Sequence, residues 1–415
     1  MPALLLRSFL ATALLIAASH LLAEERPSID APLPYGQQPI DYGGPDADDR
    51  VARLAAELES GGRTLEHREE HGYLRALLEA LQIPIESQLL VFSKSSANVQ
   101  LISPKTPRAI YFNDDVYVGW IPGIEALEIS AVDPNKGGMF YTLSQKADGP
   151  PRIIRRERCL VCHASQGSLR VPGHLDRSFT TDLQGNLRDG HSRITHDSPL
   201  AQRWGGWYVT GTHGTQPHLG NLFGDEAVRQ HRGDPTHGGN LTDLSKVFEI
   251  DRYPSPHSDI IAHLVLDHQV HGHNLLTRLN YESRLERPSQ VHEALVRYLL
   301  FADEPRFESP IAGTSGFADW FTRQGARDSR GRSLRTLDLQ QRLLKYRLSW
   351  LIDSPGVDAL PAEAKRRLYQ GLSAALTGPN PASWLPADER QAIVEILREI
   401  KPDFLAITAA EAPQK

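Results

Sequence analysis

The chain has 415 residues, a formal net charge of −6 and 17 histidines, but only two cysteines and two methionines. Hydrophobic residues make up 40% of it, which is enough for a core and excludes a disordered or fibrous protein. The acidic balance excludes a strongly basic nucleic-acid-binding protein, so we expect no nucleic-acid partner.

The first 23 residues have the layout of a secretory signal peptide. Arg7 is the only Lys, Arg, Asp or Glu among them, an apolar run covers residues 9–18, and small residues follow at Ser19 and Ala23. We therefore expect a periplasmic or otherwise exported protein that begins at His20 or Glu24. An uncleaved membrane anchor is the alternative, although the apolar run is short for a span. After signal removal we expect no membrane span.

Hydrophobic periodicity divides the remaining chain into three parts. Residues 24–87 form an N-terminal helical segment, with helices predicted over 46–60 and 70–81. From 88 to 145, short β-branched and aromatic runs alternate with turn residues, which predicts a meander of strands.

The second part, residues 88–285, combines this meander with a middle made mostly of loops. Within it we predict one further strand at 207–212 and a helix over 258–279. The third part, 286–415, is predicted to be helical. Its helices are expected near residues 289–302, 338–352, 361–376 and 386–399. The order of elements predicts an α+β fold.

Both cysteines lie in one short motif, Cys159-Leu160-Val161-Cys162-His163. This C-x-x-C-H pattern is the attachment signature of haem c, and two cysteines reach this spacing in roughly 0.5% of random placements. Two thiols three positions apart can join the two vinyl groups of one haem, and the adjacent imidazole can reach its iron. Three alternatives are a structural or redox disulfide, half of a zinc site, and coincidence.

The motif resembles that of the c-type cytochromes. This resemblance implies one covalent haem c, with Cys159 and Cys162 as the thioether positions and His163 as the proximal iron ligand. A wider resemblance, to large exported proteins described only as containing a cytochrome c domain, rests on YFNDDVYVGW (111–120), RWGGWYVTGTHG (203–214) and RYLLFADE (297–304). It spans roughly residues 110–350 and implies electron transfer.

The chain departs from small cytochromes c at the sixth iron ligand. In that family a methionine follows the motif, whereas here the only internal methionine, Met139, precedes it in an apolar strand pattern. Histidine is therefore the expected ligand type. His268 is the first candidate because it lies on an apolar stripe of the helix predicted over 258–279. Behind it come His273, His271 and His263, then His213 and His218, and finally a vacant position.

Other residues near the motif have weaker signals. Four arginines precede it and can pair with haem propionates or form a docking patch; they are Arg152, Arg155, Arg156 and Arg158. A carbonyl of the segment 171–173 can accept the proximal imidazole N–H. Trp204, Trp207 and Tyr208 either wall the haem or fill the core. The Asp and His residues of 257–273 offer a second metal site as an alternative to a structural role.

These features predict a periplasmic mono-haem cytochrome that carries electrons, whose partner is a redox protein or a small electron donor or acceptor. A haem enzyme with an open distal site, peroxidase- or oxygenase-like, is the second hypothesis, because the chain is much longer than electron transfer needs. A non-haem protein with a redox C-x-x-C pair is the third.

Overall fold

The computed structural model describes residues 31–409, with the exception of the side chains of residues 189–191 and 409. The signal peptide predicted over residues 1–23 lies outside this part of the chain. Helices and an antiparallel sheet occur together, with the sheet in the middle and helices at the end, which confirms the α+β class.

Seven strands form one antiparallel sheet. They are β1 (Leu89–Val91), β2 (Arg108–Phe112), β3 (Val116–Trp120), β4 (Ala126–Asp133), β5 (Gly137–Ser144), β6 (Ile153–Arg155) and β9 (Trp207–Tyr208). Their order is β6-β5-β4-β3-β2-β1-β9, so β1 to β5 pair as the meander predicted over 88–145, β6 extends it beyond the predicted end, and β9 joins its far edge. The motif follows β6 directly and therefore starts from the other edge of the sheet.

Two N-terminal helices, α1 (Arg50–Glu59) and α2 (Leu74–Ala80), cover one face of this sheet. The carboxylate of Asp49 caps α1 by accepting hydrogen bonds from the backbone of residues 51 and 52. Side chains of β4 alternate between buried and half-buried, and the buried set packs in the same apolar cluster as the two helices.

The motif itself contains a one-turn helix, α3 (Leu160–His163), and two further elements follow it that the sequence did not predict. Strands β7 (Arg177–Thr181) and β8 (Leu187–Arg193) form a separate two-stranded ribbon, and α4 spans Gly224–Gly233. The description of residues 152–250 as mostly loop was therefore wrong in these places. The ribbon carries many polar side chains and lies outside the main sheet, so it lacks the apolar alternation that identifies a strand.

A long helix, α5 (Ile260–Arg284), crosses the centre of the protein; it was predicted over 258–279 and begins two residues later and ends five residues later than predicted. It begins at Asp259, whose side chain accepts hydrogen bonds from the backbone of residues 261 and 262. Every residue from Ile260 to Glu282 is buried. Its four histidines therefore lie in the interior, where each must find a partner or remain neutral.

The remaining helices form the C-terminal part: α6 (His292–Leu299), α7 (Phe317–Arg323), α8 (Pro355–Asp358), α9 (Ala362–Thr377), α10 (Ala387–Ile400) and α11 (Pro402–Ala409). The helix predicted over 338–352 was wrong. The Asp338 carboxylate there accepts hydrogen bonds from the N–H groups of Gln340 and Gln341, and Leu339 has a φ of 59°, so the chain turns back instead of coiling. No helix among the residues described is long and apolar enough to span a bilayer.

Candidate functional site

The two cysteines lie on a short helical turn at the edge of the sheet. A 3₁₀ turn over Glu157–Cys159 runs into α3, so the two thiols, three positions apart, lie on the same side of the helical backbone. Cys159 is half-buried, Cys162 is exposed, and neither is in a disulfide. Val161 between them is 85% exposed, so the turn lies at the protein surface.

His163 is oriented by a backbone carbonyl. Its Nδ1 lies 2.9 Å from the carbonyl oxygen of Gly173, and the Gly173 N–H donates back to the His163 carbonyl at 2.8 Å. An Nδ1–H that donates to a carbonyl leaves the lone pair on Nε2, which is the arrangement of a metal-ligating histidine. Burial lowers the pKa of His163 to about 4, so the imidazole is neutral at physiological pH.

The carbonyl comes from the segment 171–173, where the sequence predicted an acceptor. Gly173 lies against α5, and a Cβ at this position would be only 2.1 Å from Oδ1 of Asn274. A larger residue would push the segment away from the helix and move the carbonyl from His163. The glycine is therefore required by the close approach of the Asn274 side chain to its Cα.

Asn274 of α5 clamps the loop that follows the motif. Its Oδ1 accepts a hydrogen bond from the His174 N–H at 3.0 Å, and its Nδ2 donates to the His174 carbonyl at 2.8 Å. The His174 ring packs on Tyr117 and bonds to Ser130, both on the sheet. The position of the Gly173 carbonyl, and with it that of the His163 ring, depends on the central helix and the sheet together.

Replacing Asn274 with alanine is expected to destabilise the protein by about 1–3 kcal/mol, because two buried backbone groups lose their partner. Asn280 provides the matched control, because it lies further along the same helix and its Nδ2 also donates to two carbonyls, those of Pro134 and Asn135. Urea denaturation gives the cost of each substitution. Only Asn274→Ala should accelerate amide hydrogen exchange at Gly173 and His174; equal protection in both variants would contradict the clamp.

A groove of about 650 Å³ opens beside the motif. Its walls are mainly polar and consist of Ser165, Gln166, Gly167, Leu175, Arg177, Arg193, Thr195, Asp197 and Ser198. Arg177 and Arg193 are directly opposite each other in the β7–β8 ribbon, so two guanidinium groups face the groove. Such a pair suits the carboxylates of a ligand held at the motif.

The four arginines before the motif have different roles. Arg155 donates to the carbonyls of Tyr42 and Gly44, and Arg156 donates to Thr142, so both hold the chain against the body of the protein. Arg152 and Arg158 are exposed. Of the four arginines, only Arg152 and Arg158 therefore place an accessible positive charge next to the motif, which a docking patch requires.

His268, the predicted distal ligand, does not face the motif. Its Nδ1 lies 2.8 Å from Nδ1 of His196 and its Nε2 lies 2.6 Å from Oγ of Ser349, in a fully buried environment. Asn274, which does bind the loop after the motif, is six residues further along, about 240° around the helix. His268 as distal ligand therefore stays a prediction, and in this structure both of its ring nitrogens are hydrogen-bonded on another side of α5.

Most of the other predicted ligands are also held by the protein. His263 bonds through Nε2 to the Tyr208 carbonyl, His273 bonds to the Asp114 carbonyl, and both nitrogens of His213 are hydrogen-bonded. Met139 is fully buried in the sheet, in the cluster formed with α1 and α2.

Of the predicted ligands, two keep a buried ring nitrogen without a hydrogen-bond partner among the described residues, namely His218 and His271. His218 packs on Trp204, inside the core. Burial and then the charge of Arg193, a groove residue, lower the pKa of His271 to about 3. His271 therefore remains a candidate for the distal side. In the described part of the chain no three His, Cys, Asp or Glu residues are grouped as a metal site, so the second-metal alternative has no support there.

The three aromatic residues between 204 and 208 fill the core. Trp204, Trp207 and Tyr208 are at most 5% exposed. Their polar atoms donate to the Asp267 carboxylate, the Arg177 carbonyl and the Pro104 carbonyl respectively. Trp207 thereby fixes the backbone of a groove residue without lining the groove itself.

A pair of buried carboxyl groups close to the groove was not predicted. Asp176, between the groove residues Leu175 and Arg177, faces Asp267 of α5. Asp267 accepts hydrogen bonds from Arg203 and Trp204, whereas neither oxygen of Asp176 has a donor among the described residues. Burial and then the charge of Asp267 raise the pKa of Asp176 well above its usual range, which favours the protonated form of this carboxyl, and burial also raises the pKa of Asp267. Two aspartates 91 positions apart leave no local pattern that sequence reasoning could have found.

Searches of known protein families, curated proteins and solved structures found no match to this chain.

Proposed function

We propose that this protein binds one haem c covalently through Cys159 and Cys162, with His163 as the proximal iron ligand, and that it carries electrons outside the cytoplasm. The observation that supports this most is the hydrogen bond from His163 Nδ1 to the Gly173 carbonyl, which orients the ring and leaves Nε2 for a metal.

The residues around the motif have the chemistry that a haem requires. The exposed and half-buried thiols would hold it, His163 would bind its iron, and Phe140, whose ring centroid lies 4.6 Å from that of His163, offers an apolar contact. Arg177 and Arg193 would neutralise its propionates. When bound, the haem supplies a centre that gains and loses one electron. The exposed Arg152 and Arg158 would then face a partner protein with an acidic surface.

The thiol chemistry argues against a redox C-x-x-C pair. Nucleophilic cysteines of such pairs have lowered pKa values. Here burial, followed by the charge of Glu128, raises the pKa of Cys159. A thiol with a raised pKa is a poor nucleophile for disulfide exchange at neutral pH.

A haem enzyme with an open distal site is the second candidate function. It is favoured by the size of the groove and by the hydrogen bonds that hold His268, His263 and His273 away from it. The described side chains that line the groove include neither histidine nor methionine. Thr195, Asp197 and Arg193 could bind a polar substrate there and move protons.

The test is production of the protein in a bacterium with a cytochrome c assembly system. We expect the mass of the exported chain to exceed that of the polypeptide by one haem, and the haem to remain attached after denaturation. A colourless protein with free thiols would refute the haem proposal. Absorption spectra of the reduced protein then separate the two functions, since rapid binding of carbon monoxide indicates an open site and favours the enzyme.

A further inference from the structure

A second cavity, of about 450 Å³, lies away from the motif, where the start of α1, the β2–β3 turn, the middle of α5 and the C-terminal part meet. This volume is within the range of small-molecule sites. Its lining combines apolar groups, such as Val132 and Leu334, with arginine, aspartate and Trp350. It shares no lining residue with the groove beside the motif.

Two buried donors of this lining have no hydrogen-bond partner among the described residues. They are Nη1 of Arg335 and Nε1 of Trp350, in side chains whose residues are 6% and 4% exposed. The two groups are neighbours, because the Arg335 guanidinium lies 5.7 Å from the centroid of the Trp350 ring. Buried donors without partners are rare in folded proteins, and two in contact beside one cavity indicate an acceptor group that binds there.

The guanidinium is held in place before any ligand binds. Its Nη2 lies 2.5 Å from Oδ2 of Asp114, and its plane covers the ring of Phe321 at 4.9 Å. Gly325 has a φ of 76°, and a Cβ there would be 2.9 Å from Nε of Arg335. The chain thus passes close around the side chain and fixes the direction of the unpaired Nη1.

The charges of the lining restrict the type of acceptor. Arg50 and Arg53 are already paired with Asp115 and Asp48, and the lining includes more aspartates than arginines. A doubly charged anion such as phosphate would be repelled by this acidic excess more strongly than a single carboxylate, and the two oxygens of a carboxylate match the two unpaired donors. The apolar lining residues are suited to a hydrocarbon body attached to that carboxylate.

We propose that this cavity binds a small monocarboxylate with an apolar body, whose two oxygens accept hydrogen bonds from Arg335 Nη1 and Trp350 Nε1. The site does not depend on haem, and its ligand would stabilise the region where the N-terminal helices, the sheet and the C-terminal part join.

Isothermal titration calorimetry of the full exported protein with benzoate and with hexanoate tests this proposal. We expect both to bind, and benzyl alcohol and inorganic phosphate to bind at least about tenfold more weakly, because each lacks either the carboxylate or the single charge. Benzoate should also raise the thermal unfolding temperature. Absence of binding by both carboxylates, or equal affinity for benzyl alcohol, would overturn the proposal.

Trp350→Phe is the decisive variant, because it keeps an aromatic ring and removes the donor together with part of the indole. We expect it to weaken benzoate binding about tenfold or more, and to lower the stability of the ligand-free protein only as far as the loss of buried ring atoms requires. Trp384→Phe is the control. Trp384 also has a buried unpartnered Nε1 and an arginine over its ring, but it does not line this cavity, so benzoate should bind as before. Equal affinities of the wild-type protein and Trp350→Phe would show that the tryptophan donor does not contact the ligand and would refute the site.

Discussion

Replacement of both Cys159 and Cys162 by alanine is expected to abolish covalent haem attachment completely. Each thiol supplies one thioether, so a double variant leaves only the His163 ligand, and a haem held by one coordinate bond at an open edge of the sheet dissociates on denaturation. Single substitutions should retain one thioether and give a lower yield of haem-loaded protein. Denaturing gel electrophoresis with haem staining and intact-mass measurement would quantify all three variants.

Val161→Ala is the matched control for these substitutions. Val161 lies on the same turn, between the two cysteines, and is 85% exposed, so its side chain contributes little to the fold. The control should carry haem at the wild-type level. Covalent haem in the double-alanine variant would disprove the assignment of the two thiols.

Asp176→Asn is expected to stabilise the protein increasingly as the pH rises. Because the folded-state pKa of Asp176 is raised, the folded protein holds a proton there that the unfolded chain releases above a pH of about 4. The contribution of Asp176 to the free energy of unfolding is therefore fully present below that pH. As the pH rises from there to the folded-state pKa, this contribution falls by about 1.4 kcal/mol per pH unit. Asparagine has nearly the same shape, can donate to Asp267 and carries no charge, so this loss is absent in the variant.

The measurement is the free energy of unfolding in urea for the wild-type protein and Asp176→Asn between pH 5 and 8. The difference between the two reports the Asp176–Asp267 pair, because the buried histidines with lowered pKa values, such as His163 and His271, contribute equally to both. A gain of a few kcal/mol at pH 8 relative to pH 5 is expected. A variant that is less stable than wild type at pH 8 would show that the folded protein uses an ionised Asp176.

Asp267→Asn should have the opposite effect. Asp267 accepts hydrogen bonds from the buried Arg203 and from Trp204, so its loss leaves a buried guanidinium without its carboxylate. Removing one partner of a buried ion pair costs about 3–5 kcal/mol. Comparison of the stabilities of Asp176→Asn and Asp267→Asn tests which aspartate of the pair holds the proton. Urea unfolding curves of the two variants at a single pH near 7 are sufficient to measure the difference.

Several features of this protein were predictable from local patterns. The C-x-x-C-H motif, the strand meander from residue 88, the helices α9 and α10 and the long helix α5 each have a strong short-range signal, either a fixed spacing or a period of two or 3.6 residues. The carbonyl acceptor of the segment 171–173 was also predictable, because it needs only a turn shortly after the motif.

Tertiary contacts decided the features that local patterns could not. The segment 338–352 has a helical pattern, yet it turns back at Asp338, and Arg347 bonds to Glu389 of α10 instead of continuing a helix. The strands of the β7–β8 ribbon were missed because their pairing with each other, rather than an apolar face, stabilises them.

The amino-acid sequence by itself determined the α+β class and the chemistry offered at residues 159–163, because spacing within one turn brings those side chains together in any fold. Only the tertiary structure decided which histidines of α5 can approach a ligand. That helix is buried on all sides, so its periodicity identifies no single inward face, and His268 faces His196 and Ser349 while Asn274 faces the loop after the motif. The Asp176–Asp267 pair and the Arg335–Trp350 cavity likewise depend on segments far apart in the chain, whose proximity arises only when the sheet, the central helix and the C-terminal part pack together.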